Sequence, residues 1–366
     1  MNIQNEIKKE GIEVIKELNS TTVNSLSNKV AKALQNAFPD KNLDTKEISS
    51  NMQKLKMYTA KLPDGCSAKY FYKNKSIYFD ENVSLNKLND LIVHECIHYL
   101  QERTNKKGKV ERLGFCDFTD SYLPGTGLNE AAVQLLASTC VKKKNETVTY
   151  FGMSFNTISP NFYPLECAIA NQLNYLIGNN FLFDSTLYSN DNFEDAFVSL
   201  TSKKTFYKIY DNLDLLLDKQ DYINELTAQN TTSNDKKAQN NLKKIEKLKL
   251  EIKSLFFETQ DLIISSYFNS TINLVHSDEA LEKYRTKLYG FRDVIASADG
   301  YSFYSKFYIN KMMELEQLKE NNYGLNTSMV VYKKGLFGNL FSKLKSLFSL
   351  SSQEIVTNNS NENFYD

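Results

Sequence analysis

Apolar residues recur at three- and four-residue intervals along most of this chain and crowd into short β-type runs in one stretch only, a pattern that predicts an α+β protein, predominantly helical. In residues 1–62, Ile12, Ile15 and Leu18, then Val23, Leu26, Val30 and Leu34, fall between charged positions. They predict two or three small helices ending near the turn signal "FPD". In "SAKYFYKNKSIYFDE" two aromatic and β-branched runs flank "KNK", the pattern of a short antiparallel hairpin. The next helix is expected to open at Val83-Ser84, with Ser84 capping the free amides and Val83 packing on Leu88. Leu88, Leu91, Ile92, Cys96, Tyr99 and Leu100 keep its spacing until "TNKKG" supplies a stop near Gly108.

A loop with Pro124, Gly125 and Gly127 follows, and "LNEAAVQLLASTCV" predicts a second helix from about Asn129. Beyond Tyr150 the pattern is again helical: "PLECAIANQLNYLIG" has Pro164 near its start and Gly178 at its end, and "NFEDAFVSL" is a further short helix. The stretch 235–268 keeps Leu242, Ile245, Leu248, Ile252, Leu255, Phe256, Leu262 and Ile263 on one stripe. Such a stripe needs a helical partner, for which 301–320 is the candidate, while "TAQNTTSNDKKAQNN" before it reads as a loop. In "KKGLFGNLFSKLKSLFSLSS" the apolar residues share one helical face and lysines and serines the other, the character of a helix that docks on the protein body or lies in a bilayer interface. The expected division is a core at 1–165, a helical subdomain at 166–330, an amphipathic helix at 331–350 and a disordered tail at 351–366.

Composition narrows this little. Forty-four basic residues balance forty-four acidic ones, so no overall field favours nucleic acid. Five cysteines without a C-x-x-C pair argue against a disulfide framework or a cysteine-rich metal knuckle. No apolar run suits a signal-peptide core or a membrane span, so the cytoplasm is the expected location, with peripheral membrane contact through residues 333–350 as the added possibility.

Chemistry enters at residues 94–98, "HECIH", which hold two of only three histidines. One helical turn is about 3.6 residues, so His94 and His98 project from one face and can reach a single ion. Imidazole nitrogens suit Zn²⁺ and leave room for a carboxylate and a water. Glu95 lies beside that face, placed to act as general base: it takes the proton as water attacks a carbonyl and passes it to the leaving amine. The competing reading is two ordinary helix histidines with satisfied hydrogen bonds. The third histidine, His276, lies far off in "NLVHSDEA", which favours a carboxylate as third ligand.

Here the sequence resembles the gluzincins, the zinc peptidase clan that includes thermolysin-like enzymes, in which HExxH is followed on a second helix by an Asn-Glu motif whose glutamate completes the site. The resemblance runs over residues 68–140, and in "GLNEAAVQ" it implies Glu130 as third ligand, with Glu166 in "YPLECAIANQL" as the alternative. It implies a zincin-like arrangement of small antiparallel sheet, HExxH helix and glutamate helix. Where the thermolysin-like motif continues with a serine and an aspartate, this chain has Val133 and Gln134. The family's aspartate orients a zinc-bound histidine, whereas Gln134 offers only a neutral carbonyl. Gluzincins also use a Tyr or His beyond the glutamate helix to meet the developing oxyanion; Tyr163 and His276 are the candidates, with Tyr122 a further one. The 68–80 hairpin either lays substrate along its edge or simply covers the helix. "CDFTD" at 116–120 reads as a solvated loop and Cys96 as a buried small residue.

Three functions fit. The leading expectation is a zinc-dependent hydrolase, a metallopeptidase acting on peptide or protein substrates through Glu95, His94, His98 and Glu130. The alternative is a non-catalytic protein on a zincin scaffold that binds membrane or partner through its amphipathic terminus, against which the presence of Glu95 weighs. The third is a cytolytic protein whose terminal segment disrupts bilayers.

Overall fold

A computed structural model describes residues 3–63, 65–118, 124–230, 235–295, 298–321 and 323. It is α+β and predominantly helical, in two compact units, residues 1–264 and a second starting at Ser265.

The first unit opens with helix α1 (Ile3–Lys9), strand β1 (Glu13–Glu17), helices α2 (Ser20–Ala37) and α3 (Thr45–Met52), and strands β2 (Lys56–Lys61), β3 (Ala68–Phe71) and β4 (Ser76–Asp80). The strands form one sheet in the order β1-β2-β4-β3, with β2 and β4 parallel and the outer pairs antiparallel. β4, "SIYFD", is buried on both faces except at its last residue, which is why it reads as a continuous apolar run. β3 is the free edge beside the next helix, α4 (Asp90–Leu100).

A three-stranded sheet follows, β5 (Glu102–Thr104), β6 (Val110–Leu113) and β7 (Cys116–Asp117), leading to helix α5 (Thr126–Cys140). The hairpin β8 (Glu146–Tyr150) and β9 (Met153–Thr157) precedes α6 (Pro164–Ile177), α7 (Asn179–Tyr188), α8 (Asn192–Leu200), α9 (Lys203–Asn230) and α10 (Asp235–Thr271). Nearly every side chain of α5 is buried, because it packs against α2, α4, α6, α7 and α9 at once. In the second unit, α11 (Asp278–Ile295) and α12 (Ala298–Glu320) join the end of α10, where Phe268 sits 5.6 Å from Tyr284 and 5.7 Å from Phe291 between ring centroids. Among the described residues no helix is long and apolar enough to cross a membrane.

The 68–80 hairpin and the helices at 164–177, 192–200 and 235–271 form as the pattern predicts. Other expectations give way. Ile15 belongs to β1 rather than a helix, since "EVIKE" adds to the free side of β2 through pairs such as Glu13 with Lys61. α4 starts at Asp90, not after Ser84: Asn89 in an extended conformation accepts the Ile92 amide at 2.9 Å and is the cap. It ends at Leu100, well short of Gly108, because the chain turns at once into β5. Of the expected loop at 227–241, residues 227–230 close α9 and residues 235–241 open α10, while 231–234 lie outside the described residues. α10 is tied to α9, where Asn212 Nδ2 donates to Thr259 Oγ1 at 2.8 Å and Lys219 pairs with Glu251 at 2.6 Å, and its end meets the expected partner 301–320 through Phe268 and Phe307, 6.2 Å apart between ring centroids. The unit boundary accordingly falls inside α10 and not at 165, since α6 and α9 pack directly on α5. The amphipathic segment 331–350, the tail 351–366 and Tyr122 lie outside the described residues.

Candidate metal centre

α4 and α5 lie antiparallel with a polar face on each, and the two faces match in steps of about one turn. Gln101 meets Asn129, His98 meets Glu130, His94 meets Gln134, and Asp90 meets the Gln134–Ser138 pair. Residues four apart on a helix share a face, so Asp90, His94 and His98 oppose Glu130, Gln134 and Ser138 in a single register.

At the second step three ligand atoms converge. His94 Nε2 lies 2.9 Å from His98 Nε2 and 3.1 Å from Glu130 Oε2, and His98 Nε2 lies 3.4 Å from the same oxygen. These three side chains are the group of His, Cys, Asp and Glu residues able to hold a metal among the described residues. Burial by itself would lower the His98 pKa, but the charge and hydrogen bond of Glu130, with Glu95 beyond, lift it to about 9. Burial likewise opposes the charge on Glu130, and the facing histidines outweigh it and hold that carboxyl well below the usual range.

Glu95 does not join the ligands. Its Oε2 accepts the Tyr70 backbone amide at 2.5 Å, so the carboxylate is anchored to edge strand β3. His94 Nδ1 meets Gln134 Oε1 at 2.9 Å, and Gln134 Nε2 donates to Asp90 Oδ2 and Ser138 Oγ, each at 3.2 Å. Gln101 Nε2 donates to Asn129 Oδ1 at 2.7 Å, tying the end of α4 to α5; this is what the asparagine beside Glu130 does. The β6–β7 turn closes over this bond at Gly114, φ 54°, where a Cβ would lie 2.2 Å from Asn129 Oδ1.

α9 holds the start of α5 from the other side. The first residues of α5 have no local side-chain cap, and Asp214 supplies one across the fold by accepting the Gly125 and Gly127 amides at 2.7 Å each. The approach requires Gly127, since a Cβ there would sit 2.4 Å from the Leu213 carbonyl. Tyr210 adds hydrogen bonds from its hydroxyl to the Phe115 and Pro124 carbonyls, at 2.7 and 3.1 Å.

A cleft of about 810 Å³ opens beside the group, lined by Gly65–Ala68 ahead of and at the start of β3, by His94 and Glu95, by Tyr163, and by Asp221 and Glu225 of α9. Tyr163, in the left-handed conformation at the head of α6, stacks its ring on His94 with centroids 5.8 Å apart and reaches Glu130 with its hydroxyl. Burial first, then Glu130 and Glu95, push its pKa well above the ordinary value, so it remains a proton donor. Burial also raises the pKa of Asp221, and the charges acting on it are all acidic: Asp218, Glu225 and Glu130. That wall is negative.

His94, Glu95, His98, Glu130 and Tyr163 thus come together. Glu166 does not enter the group of candidate ligands; it is fully buried in α6, bonded to Gln220 Nε2, with its pKa raised by desolvation to about 7. His276 is exposed in the turn before α11 of the second unit and is outside the group. The roles of Asp214, Gln101 and the acidic wall have no local sequence signal because their partners lie on distant segments; the nearest trace of them is Gly127 before "LNE", where a side chain would block the approach of α9. Comparison with protein-family models, curated proteins and solved structures gives no match.

Proposed function

We propose that this protein is a zinc-dependent metallopeptidase of gluzincin type, with His94, His98 and Glu130 as ligands and Glu95 as general base. The observation that carries the reading is the convergence of those three ligand atoms beside a carboxylate outside the group, Glu95, at the wall of a cleft. The donor set fits the ion: N and O ligands at about 2.0–2.1 Å in tetrahedral array stand roughly 3.3 Å apart, and the three separations here are 2.9, 3.1 and 3.4 Å. When bound, zinc supplies the Lewis acidity that activates water and polarises the scissile carbonyl.

The chain's own groups supply the rest. Glu95, held by the Tyr70 amide, faces the cleft and takes the proton of the attacking water with its remaining lone pairs. Tyr163 is the donor for the developing oxyanion, on the strength of its stacking against His94 and its retained proton. Edge strand β3 offers an extended peptide a backbone to align on, with Ala68 at the cleft. On this reading β1–β4, α4 and α5 stand for the zincin-like trio of small sheet, HExxH helix and glutamate helix, with a mixed sheet in place of the expected antiparallel one, since β2 and β4 pair in parallel.

The test is cleavage of a denatured protein or peptide library by the zinc-supplemented wild type and by Glu95→Gln. Loss of general-base catalysis predicts a fall of about 10²- to 10⁴-fold in the variant. Equal cleavage by both would remove Glu95 from the mechanism.

A further inference from the structure

One of the two residues that depart from the thermolysin-like motif, Gln134, makes three side-chain hydrogen bonds in the α4–α5 interface. It is buried, as are Asp90, His94 and Ser138 around it. An amide has one accepting and one donating end, and here the choice between them is forced. Carboxylate oxygens accept, so Asp90 Oδ2 takes one Gln134 Nε2 hydrogen and Ser138 Oγ the other. Gln134 Oε1 therefore faces His94, and an oxygen opposite Nδ1 at 2.9 Å requires that Nδ1 carry a proton. With Nδ1 protonated, the neutral ring presents the lone pair of Nε2, the nitrogen that faces His98 and Glu130.

A carboxylate at position 134 would lie against Asp90, whose nearest cation, Lys143, is 3.5 Å away. Two carboxylates in contact in a buried interface repel each other or share a proton. The amide avoids this and passes on the influence of the charge behind it: Asp90 polarises the amide and the amide polarises the imidazole. Asp90 is also four residues before His94 on α4, and Ser138 four after Gln134 on α5, so the same knot sets the separation between the helix bearing the histidines and the helix bearing Glu130.

We propose that Gln134, oriented by Asp90, is the positioning residue of the metal centre: it holds His94 in the tautomer that turns Nε2 to the ion, with Asp90 supplying through it the charge that a directly bonded carboxylate would give. This rests on the metal reading for its purpose but not for its geometry, and the two can fail separately. The tautomer is read in the zinc-free full chain with ¹⁵N-labelled histidine, by long-range proton–nitrogen correlation; the three histidines are assigned by single substitution. Zinc affinity is read by competition with a chromophoric chelator.

Wild type is expected to show a proton on His94 Nδ1. Gln134→Leu, similar in bulk and unable to accept, is expected to lose that signature and to bind zinc about 10- to 100-fold more weakly. The paired exchange Asp90→Asn with Gln134→Glu reverses the two ends of the bridge and is expected to restore both the signature and the affinity to within about 3-fold. An unprotonated Nδ1 in wild type would overturn the proposal, as would a folded Gln134→Leu with unchanged tautomer and affinity. Should Gln134→Leu fail to fold, the exchanged pair decides: a folded chain without the Nδ1 proton contradicts the bridge. A wild type that binds no zinc yet keeps a Gln134-dependent tautomer would leave the bridge standing and bring down the metal reading.

Discussion

Removing the Asp214 carboxylate should loosen the start of α5, eighty-odd residues away in sequence, and with it the seat of Glu130. Asp214 accepts two backbone amides at 2.7 Å, from Gly125 and Gly127, at a helix end with no cap of its own. Hydrogen bonds to a charged acceptor contribute about 1.5–3 kcal/mol each, so the gross loss in Asp214→Ala is about 3–6 kcal/mol. Part is offset, because desolvation, with Asp218 and Asp211 nearby, outweighs the two amides and raises the Asp214 pKa; the carboxylate carries a burial cost that the variant no longer bears. A net loss of about 2–4 kcal/mol is expected for Ala and about 1 kcal/mol for Asn, which keeps one acceptor. Hydrogen exchange followed by mass spectrometry reads this locally, where a global melt of a two-unit chain would mix events. Amides at 125–131 should exchange roughly 30- to 700-fold faster in Asp214→Ala, with the β1–β4 sheet unchanged. Exchange within about 2-fold of wild type would refute the capping argument.

Glu166 should make the protein less stable as pH rises. Desolvation raises its pKa from 4.5 to about 7, so the folded state holds the proton more tightly than the unfolded one; the stabilisation is full below about 4.5 and is lost as pH climbs to about 7. Glu166→Gln should therefore gain about 3 kcal/mol at pH 8 relative to wild type and nothing at pH 4, in urea titrations at the two pH values, and a pH-independent difference would contradict the assignment. For the cleft, Asp221→Lys with Glu225→Lys should leave zinc content unchanged and shift kcat/KM about 10-fold away from peptides with Lys or Arg and toward acidic ones, since each exposed charge contributes about 0.5–1 kcal/mol; an unaltered ratio would remove α9 from substrate choice.

What the sequence makes legible here is whatever depends on spacing along one helix. His94 and His98 share a face by the pitch of the helix alone, and the glutamate helix lies where apolar periodicity puts it. Where two local patterns compete, the long-range contact decides: Ser84 and Asn89 are both acceptable caps, and Asn89 is chosen at the point where α4 settles against β3. "EVIKE" is ambiguous between helix and strand until β2 provides an edge. The three strands between α4 and α5 are two to four residues long, too short to show alternation. Asp214, Asp221 and Gln220 lie on α9, and nothing within ten residues of them hints at Gly125, the cleft or Glu166. His276, by contrast, attracted attention only through its rarity, and rarity implies no position.

The most direct test of the central claim is zinc per chain by elemental analysis, on wild type, Glu130→Ala and Glu95→Gln. One zinc in wild type and in Glu95→Gln, with loss in Glu130→Ala, is the expected result, because Glu130 completes the ligand group and Glu95 is held away from it by the Tyr70 amide. A wild type that takes up no zinc after supplementation, or a Glu130→Ala that holds it as tightly, would contradict the account.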